Sequence, residues 1–470
     1  MRKSFFSTAV CAMALLVATS CSEEWDGLSS AVKIATKVNA NVNLADLSGT
    51  AINFVDVNTQ DVTSGKFAAD GTCAVNVAPG VYNVIVESDV KGSGDASVRY
   101  CAAQENVTID GETLDLDLDI KAFPAVINND GFIVSEYFFN GETNMGRMMH
   151  PDQYIVFHNN SLLTQYADGL TFGTTDQMSI RPKEPYFNGT VNMEEKVVLT
   201  GMFTVPGEGT TYPVAPGEKF VVAYTAINHN EVKAWYPVYN EDWTEIVDST
   251  LVSFENAVDL TGADFEIYQP EFQSDTDNPA VPNAIITDGT WGGDYTQVGG
   301  YMHPRGFYSF VSFKLPDGKP ETVKNYFDNN TSKYKYPNST DKNGNEVEGA
   351  EIVLLTVDTK NVIDAICTGD RPLVTRPFSE SLDRGYFQVS GCHRQENCVR
   401  KTVDVEGVKY YQDTNNTTED FEKVKGQTAY PKGWREATKS AGPLRAKYKP
   451  YTGKTINEGF AAVERPSRTK

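Results

Sequence analysis

Histidine and cysteine are the side chains best placed for nucleophilic or metal chemistry, and this chain of 470 residues holds five of the first and seven of the second. His150, His158, His229, His303 and His393 form no H-x-x-H or H-x-x-x-H pair, so helical zinc spacing is absent. No C-x-x-C pair, G-x-S-x-G elbow or P-loop occurs. Cys392 and Cys398 flank His393, a grouping that suits a thiol nucleophile, although a disulfide fits better in an oxidising compartment. Two oxygen-rich stretches, from Asp341 to Glu351 and from Asp413 to Asp420, invite a calcium reading. In the first, Glu346 stands where the tight turn needs glycine, and an Asn-Gly hairpin turn explains the same letters. In the second, Asp and Asn can bond to their own backbone. No metal and no cofactor is assigned, and no catalytic residue.

The stretch expected to contact a ligand is residues 286–308. Trp291, Tyr295, Tyr301, His303 and Arg305 are spaced by pairs of glycines, which gives flat apolar faces and a guanidinium on tight turns. Tyr, Trp and Arg concentrate binding energy at interfaces. Tyr326, Phe327, Tyr334 and Tyr336 extend the patch in sequence. The alternative is that these aromatics only pack a long insertion onto the body beneath it.

Such residues need a scaffold and a compartment. Arg2 and Lys3 precede a short apolar run that ends Leu15-Leu16-Val17-Ala18-Thr19-Ser20-Cys21. A basic start, an apolar stretch and small residues before the cut describe a secretory leader, too short for a spanning helix of ~20 residues. The cysteine directly after the small pair makes the leader resemble that of a bacterial lipoprotein, which implies lipidation at Cys21. Ser22-Glu23-Glu24-Trp25-Asp26 follows, and this acidic cluster resembles the surface-export signal of Bacteroidota lipoproteins. The expected location is the outer membrane, lipid-anchored and exposed at the cell surface. The formal net charge of −22 repels nucleic acid, whose binding rests on Lys and Arg neutralising phosphate. Cys11 falls in the leader, which leaves five thiols beyond Cys21. Cys73 with Cys101, and Cys392 with Cys398, are the expected disulfides, with Cys367 left over.

Residues 32–122 read as a small β-sandwich. Val32–Asn39, Ala51–Val57, Cys73–Val77, Val81–Glu87, Val98–Ala102 and Leu114–Ile120 are short, β-branched and separated by turn residues. Leu114-Asp115-Leu116-Asp117-Leu118-Asp119-Ile120 alternates strictly, with leucine on one face and aspartate on the other. Pro79-Gly80-Val81-Tyr82 entering a strand resembles transthyretin-like, carboxypeptidase-regulatory-like modules, which serve as spacers or rigid adaptors. Ala122-Phe123-Pro124 marks a linker.

From Gly131 the pattern stays β. Val134-Ser135-Glu136-Tyr137, Asp152-Gln153-Tyr154-Ile155-Val156-Phe157-His158-Asn159 and Ala167-Asp168-Gly169-Leu170-Thr171-Phe172 occur in order. Pro216-Gly217-Glu218-Lys219-Phe220-Val221-Val222-Ala223, Val362-Ile363-Asp364-Ala365-Ile366 and Ser381-Leu382-Asp383-Arg384 follow. Together they resemble the lamin-tail domain, an immunoglobulin-like β-sandwich, over residues 131–436. Ala226-Ile227-Asn228-His229, Asp259–Glu266 and Asp413–Phe421 resemble a narrower family of uncharacterised Bacteroidota surface lipoproteins, which tends to accompany outer-membrane TonB-dependent receptors. The region is about twice a lamin tail's length, so roughly Thr174–Lys196 and Phe272–Asn345 are expected outside the sandwich core. Val323–Phe327 reads as one helical turn.

The expected molecule is all-β: a leader over 1–20, a lipidated tether over 21–31, a prealbumin-like sandwich over 32–122, a larger lamin-tail-like sandwich over 131–436, and a basic tail over 437–470. The resemblance implies fold and location; the lipid site, the two β modules and the lack of a recognisable catalytic set point to a non-catalytic surface binding or accessory module that works with a TonB-dependent receptor or an extracellular ligand. An extracellular polymer hydrolase and a purely structural adhesin-like spacer are the alternatives.

Overall fold

The computed structural model describes residues 30–38, 42–110, 114–141, 152–229, 233–239, 246–253, 257–268, 277–288 and 302–425. Cys21, residues 22–29 of the tether and the tail over 437–470 lie outside them. The fold is all-β. The chain divides into two compact units, the first made of residues 1–131, 160–164 and 402–413, the second of residues 132–159, 165–401 and 414–470. Among the described residues no helix is long and apolar enough to cross a membrane.

The first unit is a seven-stranded sheet in the order Val62–Lys66, Ala51–Asp56, Gly80–Glu87, Val98–Ile109, Asp115–Pro124, Ser30–Val38, Cys73–Val77. Its pairs are antiparallel except Ser30–Val38 with Asp115–Pro124, which run parallel. Leu116, Leu118 and Ile120 are buried while Asp115, Asp117 and Asp119 face water, as the alternation predicts. They pack with Leu47, Ile52, Phe54, Val84, Val86 and Ile109. Tyr82 is buried in this core, and its hydroxyl donates to the Ala78 carbonyl at 2.9 Å across the Pro79-Gly80 turn. The sheet curls until its two end strands meet, and a Cβ on Gly65 would lie 2.7 Å from Cys73 Sγ. Val62–Lys66 went unread in the sequence because Thr63, Ser64 and Gly65 carry no apolar signal.

A second layer of this unit comes from far along the chain. The hairpin of Thr402–Val405 and Val408–Tyr411 sets Val405 and Tyr410 against Cys101, Phe123 and Ile127. Phe123 and Tyr410 meet edge to face with centroids 5.0 Å apart. Cys73 therefore faces one core and Cys101 the other. Both thiols are free and the expected Cys73–Cys101 disulfide is not formed.

In the second unit two sheets face each other. One runs Phe265–Glu266, Lys219–Ala223, Tyr154–Asn159, Phe132–Asn140, Glu396–Arg400, Phe421–Lys425. The other runs Thr331–Lys335, Glu351–Asp358, Lys196–Thr204, Leu170–Thr175, Phe310–Lys314, Val362–Ile366, with Ile285–Asp288 also on Lys196–Thr204. Between them lie Phe132, Val134, Tyr137, Phe157, Phe172, Phe203, Phe220, Phe310 and Cys398. Phe157 stacks on Phe220 at 5.3 Å and Phe172 on Phe310 at 6.1 Å. The outer faces are covered too. The helix Pro320–Asn329 brings Val323 and Tyr326 onto Phe313, Val311 and Leu355, and a separate cluster of Phe138, Tyr154, Val156, Val221 and Leu260 backs the first sheet. Every residue of Phe132–Asn140 is thus buried, which explains a sequence that is apolar without alternation. Phe272–Asn345 is not a pure insertion. It holds three strands of the second sheet, and Phe310 sits in the core. The single expected turn at Val323–Phe327 is a ten-residue helix that starts on Pro320.

Aspartates and glutamates hold the connections. Asp168 accepts from the backbone N–H groups of Gly209, Thr211 and Tyr212. Glu266 accepts from Ala226 and Asn278, and Asp383 from Cys367, Gly385 and Thr417. A buried amide left unpaired costs about 1–3 kcal/mol, so each carboxylate stabilises a loop the sheets cannot reach. Gly169, beside the first of them, has φ +73° and is boxed in, since a Cβ there would lie 2.6 Å from the Leu315 carbonyl oxygen. Gly169→Ala is expected to cost well over ~1 kcal/mol from the left-handed backbone plus the clash, seen as a fall of several degrees in the melting transition. An unchanged transition would mean the loop moves aside freely.

Glu136 differs from these carboxylates. It accepts from Asn397 Nδ2 at 2.9 Å and lies 3.4 Å from the Tyr154 hydroxyl, and burial pushes its pKa up to about 7. The folded state then binds the Glu136 proton more tightly than the unfolded chain, so this residue costs stability progressively as pH rises from about 4.5 to 7. Glu136→Gln is expected to gain about 3 kcal/mol relative to wild type at pH 8 compared with pH 5, read from urea unfolding at both. Equal differences at the two pH values would show that Glu136 ionises normally.

Candidate functional site

Of the five residues expected to bind a ligand, Trp291, Tyr295 and Tyr301 lie outside the described residues. His303 and Arg305 sit in the turn that feeds the central strand Phe310–Lys314. The Gly306 N–H closes the turn onto the His303 carbonyl at 2.7 Å, and the Arg305 N–H donates to His303 Nδ1 at 3.1 Å. Gly306 has φ +66°, and a Cβ there would lie 2.8 Å from the Phe139 ring. Thr368 Oγ1 donates to the Gly306 carbonyl at 2.8 Å, which fixes the turn from the other side.

The turn meets two segments, one that the sequence did not single out and one, around Cys392 and His393, that it singled out for other chemistry. Arg305 Nη1 donates to Asp370 Oδ2 at 3.0 Å, and Arg371 Nε donates to Asp370 Oδ1 at 2.7 Å. Burial pushes the Asp370 carboxyl up, but hydrogen bonds and charge from Arg371 and Arg305 outweigh it and hold it below its ordinary value. The Arg371 guanidinium lies 5.3 Å from the centre of the Phe307 ring, and His303 stacks on that ring at 4.4 Å. The second segment is the loop 391–395, where His393 and Gln395 have φ of 51° and 55°. Asn140, fully buried, clasps this loop. Its Oδ1 accepts from the Arg394 and Glu396 N–H groups, and its Nδ2 donates to the Gly391 and Pro304 carbonyls. One side chain thereby joins the turn at Pro304 and the loop 391–395 to the end of Phe132–Asn140. The legible signal was the pairing of turn formers with arginine in Pro304-Arg305-Gly306 and in Gly369-Asp370-Arg371-Pro372, but nothing in their separation places them together.

Cys392 is half-buried within this cluster, beside Arg305 and Arg394, and Cys398 is fully buried in the sandwich core. Both are free thiols, so the expected Cys392–Cys398 disulfide is absent. Residue 398 points between the sheets while residue 392 sits in the loop that leads to them. Burial raises the Cys392 thiol above its ordinary pKa. Burial lowers His303 to about 4, with Arg305 adding to the effect and Asp370 opposing it. The raised thiol and the lowered imidazole are each shifted away from the state that an activated Cys–His pair needs.

The two calcium-like stretches are turns in the described structure. Asp341 accepts from the N–H groups of Asn343 and Asn345 in a hairpin turn around Gly344. Asp420 accepts from Thr414 and Asn416. Among the described residues no group of three or more His, Cys, Asp or Glu is arranged to hold a metal ion.

Residues 215–428 match the model of a protein family of unknown function, DUF4876. This segment includes Arg305, Asp370, Arg371 and Arg394. No curated protein matches the chain. A solved DUF4876-family protein from Bacteroides thetaiotaomicron is 20% identical over 84% of this chain and 94% of that one, with a TM-score of 0.47. A candidate adhesin from Bacteroides ovatus is 16% identical over 35% of this chain and 60% of that one, with a TM-score of 0.17. A DUF3823-family protein from Parabacteroides merdae is 15% identical over 31% and 67%, with a TM-score of 0.14.

Proposed function

We propose that this chain is a non-catalytic, lipid-anchored surface protein that binds an extracellular ligand or serves as an accessory subunit of an outer-membrane TonB-dependent receptor. In this reading the lipid on Cys21 holds it in the outer membrane, the first unit is a transthyretin-like spacer, and the second is a lamin-tail-like body. The observation that carries it is the state of the cluster around Arg305. Arg305 and Arg371 stand half-exposed on the nearly buried Asp370, and Asn140 and Thr368 pin the turn and loop beneath them. The leader, the acidic residues after Cys21 and the match to a family of unknown function agree with it.

The test is affinity purification of the tagged full chain from gently solubilised outer membranes of its own bacterium. A TonB-dependent receptor that co-purifies in near-equal amount is the expected result. Recovery of the chain alone would remove the receptor from the account.

A further inference from the structure

We propose that Arg305, Arg371 and Arg394, set beside the half-buried rings of Tyr308 and Tyr386, form a binding site for a sugar acid, with one carboxylate held by guanidinium and the sugar ring resting on the aromatic edge. The proposal rests on the surface-binding reading above and names the chemistry of its ligand.

Charge is the first argument. The chain carries a formal charge of −22, yet Arg305 and Arg371 both pair with one carboxylate, Asp370, whose side chain is only 5% exposed, and Arg394 stands on the neighbouring loop. His303 is held neutral and adds nothing to the count. Arg305, Arg371 and Arg394 thus outnumber Asp370 here, and Arg181 offsets part of the charge that Asp176 and Glu184 bring to Tyr308. Repulsion from the rest of the surface works against a long polyanion, whereas one carboxylate meets only the local field, since charges beyond ~8 Å are screened at physiological salt.

Geometry is the second. Guanidinium presents a planar fork that matches carboxylate. Asp370 already uses that match from below, and it orients Arg305 and Arg371 while their side chains remain 42% and 50% exposed. Arg394 is exposed on the neighbouring loop, and Asn140 accepts its backbone N–H while donating to the carbonyl of Pro304, so Arg394 and Arg305 leave the same clasp. His303 and Arg371 cover the Phe307 ring, which leaves Tyr308 and Tyr386 as the half-buried rings beside them, and the Tyr386 hydroxyl donates to the Arg371 carbonyl. A uronic-type sugar offers both features that this surface complements, a carboxylate and a face of C–H groups.

Rigidity is the third. Two non-glycine residues in the left-handed region, His393 and Gln395, are held there by Asn140, and Gly306 fits only because no side chain is present. Strain maintained by a buried clasp is spent on fixing a surface loop, which lowers the entropy cost of binding.

The experiment titrates the mature full chain with methyl glucuronide and, separately, with methyl glucoside, by ligand-observed NMR. The two differ only in the carboxylate. Glucuronide is expected to bind at least about tenfold more tightly, and Arg305→Gln, Arg371→Gln and Arg394→Gln are each expected to weaken it severalfold or more. Lys335→Gln on the exposed hairpin should leave it unchanged. Acetate and inorganic sulfate are run as competitors. Equal binding of glucuronide and glucoside, competition by acetate at the affinity of glucuronide, tighter binding of sulfate, or indifference to all three arginine variants would each overturn the proposal. The variants are checked by thermal melting, and any one that fails to fold is set aside for the other two. Receptor co-purification with the triple variant separates the two readings, because loss of sugar binding with the receptor retained leaves the surface role standing.

Discussion

Asp364→Ala will destabilise the second unit by about 3–5 kcal/mol, measured by urea unfolding. Asp364 lies on Val362–Ile366 of the second sheet, and Arg400 on Glu396–Arg400 of the first. Their side chains are 4% and 1% exposed. Arg400 Nη2 is 2.7 Å from both carboxylate oxygens, and Arg400 Nε donates to the Val134 carbonyl at 2.7 Å. The Val134 N–H donates to Asp364 at 2.7 Å, and the guanidinium covers the Phe421 ring at 4.3 Å. Three strands from both sheets converge on this one pair. Removal of Asp364 takes from a buried guanidinium the carboxylate that holds it with both oxygens, which is the costly half of the experiment. Replacement of both residues, as Asp364→Leu with Arg400→Met, is expected to recover most of the loss, because an apolar pair of similar volume avoids the desolvation of two charges. A single substitution that costs under ~1 kcal/mol would show that water reaches the pair.

Tyr410→Ala will destabilise the first unit by about 3–5 kcal/mol, the usual range for truncation of a large buried ring. Tyr410 packs edge to face on Phe123 and belongs to the cluster of Cys101, Ile127 and Val405. These contacts cover a face of the first unit with residues nearly 300 positions later in the chain. Burial also pushes the Cys101 thiol up to about 12, so it should resist maleimide at neutral pH. Replacement of residues 402–412 by a short Gly-Ser link is expected to make Cys101 label rapidly while the core around Phe54 and Val84 keeps its strands. Slow labelling in that variant would mean the hairpin is not what protects the thiol.

These cases show where the sequence could be read and where it could not. Leu116, Leu118 and Ile120 alternate with aspartates because that strand has one wet face, so period and burial agree. Phe132–Asn140 was legible as a strand from its apolar run, and its burial on both faces is the reason it does not alternate. The hairpin around Tyr410 was opaque, since its first-unit partners, Phe123 among them, lie far off in sequence and each looks like an ordinary strand residue. Phe310 was assigned to an insertion because a lamin-tail pattern of normal length left no room for it, yet it lies at the centre of the core. The expected disulfides failed on orientation: neighbouring cysteines in sequence can face different layers, and Cys73 and Cys101 do. In the candidate site, His303 and Arg305 were visible as residue types on a tight turn. Asp370, Arg371 and Asn140, which give them their geometry, are joined to them only by tertiary structure.

Everything proposed for the role of this chain depends on its attachment outside the cell. Mass spectrometry of the N-terminal peptide from chain purified out of its own bacterium tests that directly. The account predicts a peptide that begins at Cys21 and carries a diacylglyceryl group on its sulfur. A peptide that retains the leader, or one with an unmodified thiol at Cys21, would contradict it.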